Sequence, residues 1–162
     1  MRKLCVLLVC IWMLTGCAGA PVFEQLGDVY NPSQAPEPKK VSLTLPNDAA
    51  SPVIAGDTGK LYFCDGYEIM VETLASGDLS ATVKALTGYS RDALTVMETH
   101  LGETKRYECV WTAAGEVGDR VGRTVILDDG SYHYCVSVMA DAVDAGALQE
   151  SWEELFGSFV LG

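Results

Sequence analysis

The sequence predicts an α+β domain in which an antiparallel sheet of about six strands is packed by two helices, an α/β/α sandwich. Three observations carry this. Apolar and polar residues alternate with period two in a series of short stretches between residues 41 and 139. Two connections contain Asp-Gly pairs, Asp65-Gly66 and Asp129-Gly130, which suit tight hairpins because both turn positions need positive φ. Two further stretches, 76–88 and 141–159, place their apolar residues at helical spacing instead.

In chain order, residues 41–45 alternate as a first strand. "LYFC" and "YEIMVET" flank Asp65-Gly66; a two-residue turn sets Cys64 opposite Tyr67 and Tyr62 opposite Ile69 on an apolar face, with Glu68 and Glu72 on the other. "SGDLSATVKALTG" reads as a helix capped by Asp78 or Ser76, with Leu79, Val83 and Leu86 on one stripe and Gly88 ending it. Strands follow over 94–99, 105–112, 121–128 and 131–139. A two-residue turn at Asp129-Gly130 places Asp128 opposite Ser131, Leu127 beside Tyr132, Val125 beside Tyr134 and Val121 beside Val138, which makes that a core face. In the closing "DAVDAGALQESWEELFGSFVL", Asp141 is the expected N-cap and Asp144 sits where the helix dipole favours an acid. Leu148, Trp152, Leu155, Phe156 and Phe159 form its apolar stripe, opposite Gln149, Glu150, Glu153 and Glu154.

This order of elements, with "TGYSRDALTV" leading into a strand and Trp152-x-x-Leu155-Phe156-Gly157-Ser158-Phe159 near the end, resembles the small α/β/α sandwich of the PsbP-like domains over residues 60–160. The resemblance implies a non-enzymatic accessory or binding protein. It carries no site residue over, because the shared motifs are packing residues.

The amino terminus reads as an export signal: Arg2 and Lys3, an apolar run from Leu4 to Leu14, then small residues. Leu14-Thr15-Gly16-Cys17 resembles the bacterial lipobox, in which the cysteine thiol receives a diacylglycerol and becomes the first mature residue. Plain secretory cleavage after Ala18-Gly19-Ala20 is the alternative, but it would leave Pro21 at the cut, without an N–H to offer a protease. An uncleaved anchor needs roughly 20 apolar residues, and the run from Leu4 to Leu14 has eleven. The expected organisation is a signal peptide over 1–16, lipidated Cys17 and a Pro-rich tether (Pro21, Pro32, Pro36, Pro38) over 17–40, and one globular domain over 41–162. The product is expected on the extracytoplasmic face of the cell membrane, held by lipid on Cys17.

The net charge of −11 becomes −13 once Arg2 and Lys3 leave with the signal. Such a surface repels phosphates, so nucleic acid and anionic lipid headgroups are excluded as partners, leaving an envelope protein or a small ligand. Three cysteines remain after Cys17, namely Cys64, Cys109 and Cys135, with no CxxC pair among them. Cys64 and Cys109 are both expected to face the core. A bridge between them is the favoured pairing, and unpaired core thiols are the alternative.

Chemistry is sparse. His133 and Cys135, two apart on a strand, are the sharpest metal-ligand pair, but the register places them opposite Ile126 and Thr124, on the face away from Cys109, Tyr107 and Trp111. A half-exposed imidazole beside a partly buried thiol is the expectation, with no metal and no other cofactor. Ser90 and His100 lack a nucleophile elbow, Asp128 and Asp129 are explained by a turn, and "GEVGDRVG" carries acids where a phosphate would sit. Arg123 falls on the core face, either snorkelling at the sheet edge or paired with a buried acid as a binding group. Tyr30 and Tyr89 are the exposed aromatic candidates. The reading is a non-catalytic binding or accessory module on the cell envelope. An envelope hydrolase using Ser90, His100 or Asp128, and a thiol or metal sensor using His133 and Cys135, are the alternatives.

Overall fold

The computed structural model describes residues 36–54 and 58–162; Cys17, Tyr30, the leader and most of the Pro-rich stretch lie outside the described residues. The elements are β1 (Val41–Ser42), β2 (Val53–Ile54), β3 (Gly59–Cys64), β4 (Tyr67–Ala75), α1 (Leu79–Thr87), β5 (Val96–Leu101), β6 (Thr104–Ala114), β7 (Asp119–Asp128), β8 (Tyr132–Asp141), α2 (Gln149–Ser158) and β9 (Val160–Leu161). One antiparallel sheet has the order β2-β3-β4-β8-β7-β6-β5: six long strands with the two-residue β2 at one edge. Its two hairpin systems, β3–β4 and β5 to β8, meet where β4 pairs with β8 over nine residues.

β1 is shorter than the alternation of residues 41–45 suggests, and it pairs with β9 rather than with the sheet. Past Ser42 the backbone finds a side chain instead of a strand: Thr44 N–H donates to Ser158 Oγ at 2.9 Å. Leu43 and Leu45 still pack on the core, so their side chains behave as the pattern requires while their backbone does not.

Both faces of the sheet are covered. α2 lies over one, where Tyr67, Ile69, Val125, Leu127, Tyr134, Val136 and Val138 meet Trp152, Leu155, Phe156 and Phe159. Each of the last four is at most 4% exposed, and full burial of a side chain of this size contributes about 2–3 kcal/mol. α1 lies over the other, with Val83 seated among Tyr107, Ile126 and Cys135. Asp78 caps α1 by accepting from Ser80 N–H at 3.0 Å, and Gly88 closes it in the left-handed conformation (φ 80°), where its N–H donates to Lys84 O.

The Asp65-Gly66 hairpin has the expected register, with Cys64 opposite Tyr67 and Tyr62 opposite Ile69. The Asp129-Gly130 connection is two residues longer than a tight hairpin. Leu127 pairs with Tyr134, Val125 with Val136 and Val121 with Ala140, so His133 faces Asp128 and Cys135 faces Ile126. The aspartates cause this. Asp128 Oδ1 accepts from Gly130 N–H at 2.8 Å, and Asp129 Oδ1 accepts from the N–H groups of Ser131 (3.0 Å) and Tyr132 (2.8 Å), building a wider turn from side-chain contacts. A slip of two preserves the facing of every side chain, so the core assignment stands.

α2 starts at Gln149, not at Asp141. Asp141 is the last residue of β8, paired with Arg120, and its carbonyl accepts from Asp144 and Ala145 N–H in successive turns. Gly146 costs a helix about 1 kcal/mol relative to alanine, which favours turns over an earlier helical start.

Asp129 ties the chain before β1 to this hairpin. Its Oδ2 accepts from Tyr134 O–H at 3.2 Å and lies 3.5 Å from Lys39 Nζ, while Lys39 N–H donates to Tyr134 Oη at 2.7 Å. Burial works to raise the Asp129 carboxyl, but the N–H donors of Ser131 and Tyr132, the Tyr134 hydroxyl and the Lys39 charge outweigh it and hold it below the ordinary carboxylate range. A depressed folded value means that the ionised form stabilises the fold above the unfolded pKa of about 4, and that this contribution is lost as pH falls through the folded value. Asp129→Asn is therefore expected to lower stability by about 2 kcal/mol at neutral pH, on the scale of a hydrogen-bonded charged group. In urea melts across pH, the gap to the parent should stay constant above about pH 5 and close below about pH 4.

Candidate functional site

The α1 face carries the polar interior. Thr124 and Ser137 are register partners on β7 and β8, and Cys109 sits opposite Thr124 on β6. Trp111 Nε1–H donates to Thr124 Oγ1 at 3.0 Å, and that hydroxyl lies 2.9 Å from Ser137 Oγ, so three buried groups form one chain across three strands. The indole lies over Gly122, the one residue of β7 without a side chain to displace it. The chain emerges at a cleft of about 180 Å³, where Ser137, Met70 and Met139 from the sheet meet Ala85 and Leu86 of α1. Glu68 and Glu72 rim it. Arg120 neutralises Glu68 through a 3.0 Å hydrogen bond, and its guanidinium also lies 3.7 Å from Asp141. Glu72 has no ion-pair partner among the described residues. α1 thus roofs only part of this face, and Phe63, beside Glu68 in the register, is 46% exposed.

His133 is buried rather than half-exposed: its ring is 1% accessible, with Nδ1 2.8 Å from Thr82 Oγ1 and Nε2 3.8 Å from Asp128 Oδ2. Cys135 is also buried. Burial drives its thiol far above the ordinary range, and the charge of Glu72, its register partner on β4, adds to the effect. A thiol so raised stays protonated at neutral pH and is neither nucleophile nor ready ligand. Among the described residues no three His, Cys, Asp or Glu side chains are grouped to hold a metal ion.

The cysteine facing differs from the expectation. Cys109 shares the α1 face with Cys135 and Tyr107, while Cys64 lies on the α2 face. A Cys64 to Cys109 bridge is therefore ruled out by opposite sides of the sheet. Cys109 and Cys135 are separated by β7 and staggered by two residues, and all three thiols are free. A sheet covered on both sides has two core faces, so two core-facing residues need not face each other.

The hydrolase candidates lie on different elements. Ser90 precedes the short 3-10 turn Arg91–Ala93 and borders a separate hollow with Asp78, Lys84 and Asp92. His100 is on β5, exposed beside Glu98 at 3.4 Å. Asp128 is two strands away from it, with Lys105 between them in the register, a backbone separation of roughly 9–10 Å. Tyr89 donates its hydroxyl to Thr112 O at 2.7 Å, which fixes the segment after α1 to β6.

Arg123 is paired with a half-buried acid. Its guanidinium binds Glu108 through Nε at 2.7 Å and through Nη2, and stacks 5.0 Å from the Phe156 ring centroid. Arg106 approaches the same carboxylate at 3.5 Å and donates to Phe156 O at 3.3 Å. With its charge satisfied inside the α2 interface, Arg123 acts in packing and has none left for a ligand.

The sheet order and the two flanking helices can be set against solved structures. The solution structure of cyanobacterial PsbP (CyanoP) from Synechocystis superposes with a TM-score of 0.57 at 10% identity, covering 75% of this chain and 86% of that one. The fold is PsbP-like. A crystal structure from Bacteroides thetaiotaomicron superposes with a TM-score of 0.53 at 12% identity over 75% of this chain, which spans only 45% of the length of that protein. No protein-family model and no curated protein sequence matches the chain. At these identities the PsbP-like fold is what is shared.

Proposed function

We propose that the chain is a cell-envelope lipoprotein, held on the extracytoplasmic face of a membrane by lipid on Cys17, whose domain is a non-catalytic binding or accessory module. The observation that carries the binding half is the cleft between α1 and the sheet. Its volume of about 180 Å³ is below the roughly 300–1,000 Å³ of small-molecule pockets, so it suits one inserted side chain better than a cofactor. Two methionines and Leu86 offer an adaptable apolar lining, and Glu72, without an ion-pair partner among the described residues, offers a negative charge. A lysine or arginine of a partner protein matches both, with its aliphatic stem on the apolar lining and its charge at the rim. The lipobox-like sequence before Cys17 supports the anchor, and no helix among the described residues is long and apolar enough to cross a membrane.

The full-length chain, purified in detergent from the membrane fraction of its host, tests both halves. Mass spectrometry is expected to find an amino-terminal peptide that begins at Cys17 and carries diacylglycerol, while Cys17→Ala leaves the precursor unprocessed. An unmodified soluble product that begins at Pro21 overturns the anchor. An envelope protein that co-purifies with the parent should be lost with Glu72→Lys and kept with Glu116→Lys, the same charge change in an exposed loop. Equal retention by both variants removes the cleft from the reading.

A further inference from the structure

β5 ends the sheet, with β6 on one side and no strand on the other among the described residues. Natural edge strands are blunted by lysine, proline or a bulge, but "VMETHL" contains neither residue, and its ladder with β6 runs unbroken through six pairs. Every residue from Met97 to Leu101 is exposed, Met97 at 58% and Leu101 at 53%. Both lie on the α2 side of the sheet, while Glu98 and His100 lie on the α1 side.

We propose that this edge is a self-association surface whose occupant is β5 of a second copy, antiparallel and centred on Thr99. A two-fold axis at Thr99 sets Met97 of one copy opposite Leu101 of the other, and Glu98 opposite His100, each pair occurring twice. Apolar then meets apolar on one face and carboxylate meets imidazole on the other. The neighbouring registers fail. Centring on Glu98 sets two carboxylates face to face, centring on His100 stacks two imidazoles, and an odd shift turns each apolar residue to the wrong face. The two-fold consumes both free edges at once, so the assembly closes at a dimer. Five residue pairs make a small contact beside the roughly 20–30 residues a side of a stable complex. Association is therefore weak, and covalent trapping is the suitable reading.

The test uses the full-length chain in its host membranes. Thr99→Cys brings two thiols to the axis, where opposed Cβ atoms are about 4.5–5.5 Å apart, and a short thiol cross-linker should give a species of doubled mass, several-fold above the unaltered chain with its own cysteines. In the Thr99→Cys background, His100→Glu should lower the yield several-fold by opposing two acids, and adding Glu98→Lys should restore it by reversing the pair. No excess over the unaltered chain overturns the proposal, as does a yield indifferent to both charge changes. A cross-linked species of any other mass means that a different partner occupies the edge, and equally overturns it.

Discussion

Gly122→Ala is expected to destabilise the domain by about 3 kcal/mol or more, from the addition of a single methyl group. A Cβ at this position would fall within the Trp111 ring system, overlapping Cε2 and Cζ2. The indole is 5% exposed, so it has little room in which to move. Overpacking of a filled interior costs about 1–3 kcal/mol. The displaced Nε1–H also loses its 3.0 Å bond to Thr124, and an orphaned buried donor costs about 1–3 kcal/mol more. Against a typical domain stability of 5–15 kcal/mol this is a large fraction, equivalent to a fall in Tm of about 10 °C. Gly146→Ala, where an added Cβ meets nothing within 4 Å, is the control and should be nearly neutral. A double-mutant cycle completes the check: in a Trp111→Leu background the cost of Gly122→Ala should shrink sharply, because the group it strikes has gone. Equal costs in the two backgrounds would remove the contact as the cause.

The same residues mark what was legible in the sequence. Local signals read well. Asp65-Gly66 gave the β3–β4 register to the residue, and Asp78 and Gly88 marked the bounds of α1, because each depends on neighbours within a few positions. At Asp129-Gly130 an equally strong dipeptide gave a register two residues out, since two consecutive aspartates can each recruit backbone N–H groups. The start of α2 differs from the expected one for a related reason. Asp141 has the composition of an N-cap, but its position as the partner of Arg120 at the end of β8 is a tertiary fact.

The candidate site was less legible than the fold. Period two separates the faces of a strand but does not say which face of one strand joins which face of the next. Cys109 therefore lies on the same side as Cys135, contrary to expectation, because both faces are core. His133 looked like half of a ligand pair, whereas its imidazole is occupied by Thr82 from α1, a contact between residues 51 apart that no local pattern predicts. The Trp111–Thr124–Ser137 chain left one trace, a small hydroxyl residue inside each of two apolar strands. That trace becomes meaningful only when β7 and β8 are paired.

Glu108→Ala is expected to cost about 3 kcal/mol, while removing its two arginine partners along with it should restore most of that loss. The three side chains, Arg106, Glu108 and Arg123, are 17%, 14% and 22% exposed beneath α2. Deleting the acid leaves two guanidinium groups close together in a site with little water, and breaking a buried pair from one side typically costs about 3–5 kcal/mol; partial hydration places this one at the lower end. Replacing all three with apolar residues of similar length, as Arg106→Met, Glu108→Leu and Arg123→Met, leaves no charge unpaired, and such exchanges are often neutral. Recovery should nonetheless be incomplete. Arg106 also satisfies the Phe156 carbonyl in the last turns of α2, where the helix dipole favours a cation, and Arg123 faces the Phe156 ring. The comparison separates two jobs. Equilibrium denaturation reads the charge balance, which the triple variant repairs. Near-ultraviolet circular dichroism of the aromatic residues packed under α2 reads how the helix is seated, which the triple variant should loosen because Phe156 then keeps its core packing but loses both arginine contacts. A single variant with no loss of stability would mean that water already reaches the carboxylate, and that the interface between α2 and the sheet is held by its apolar residues alone.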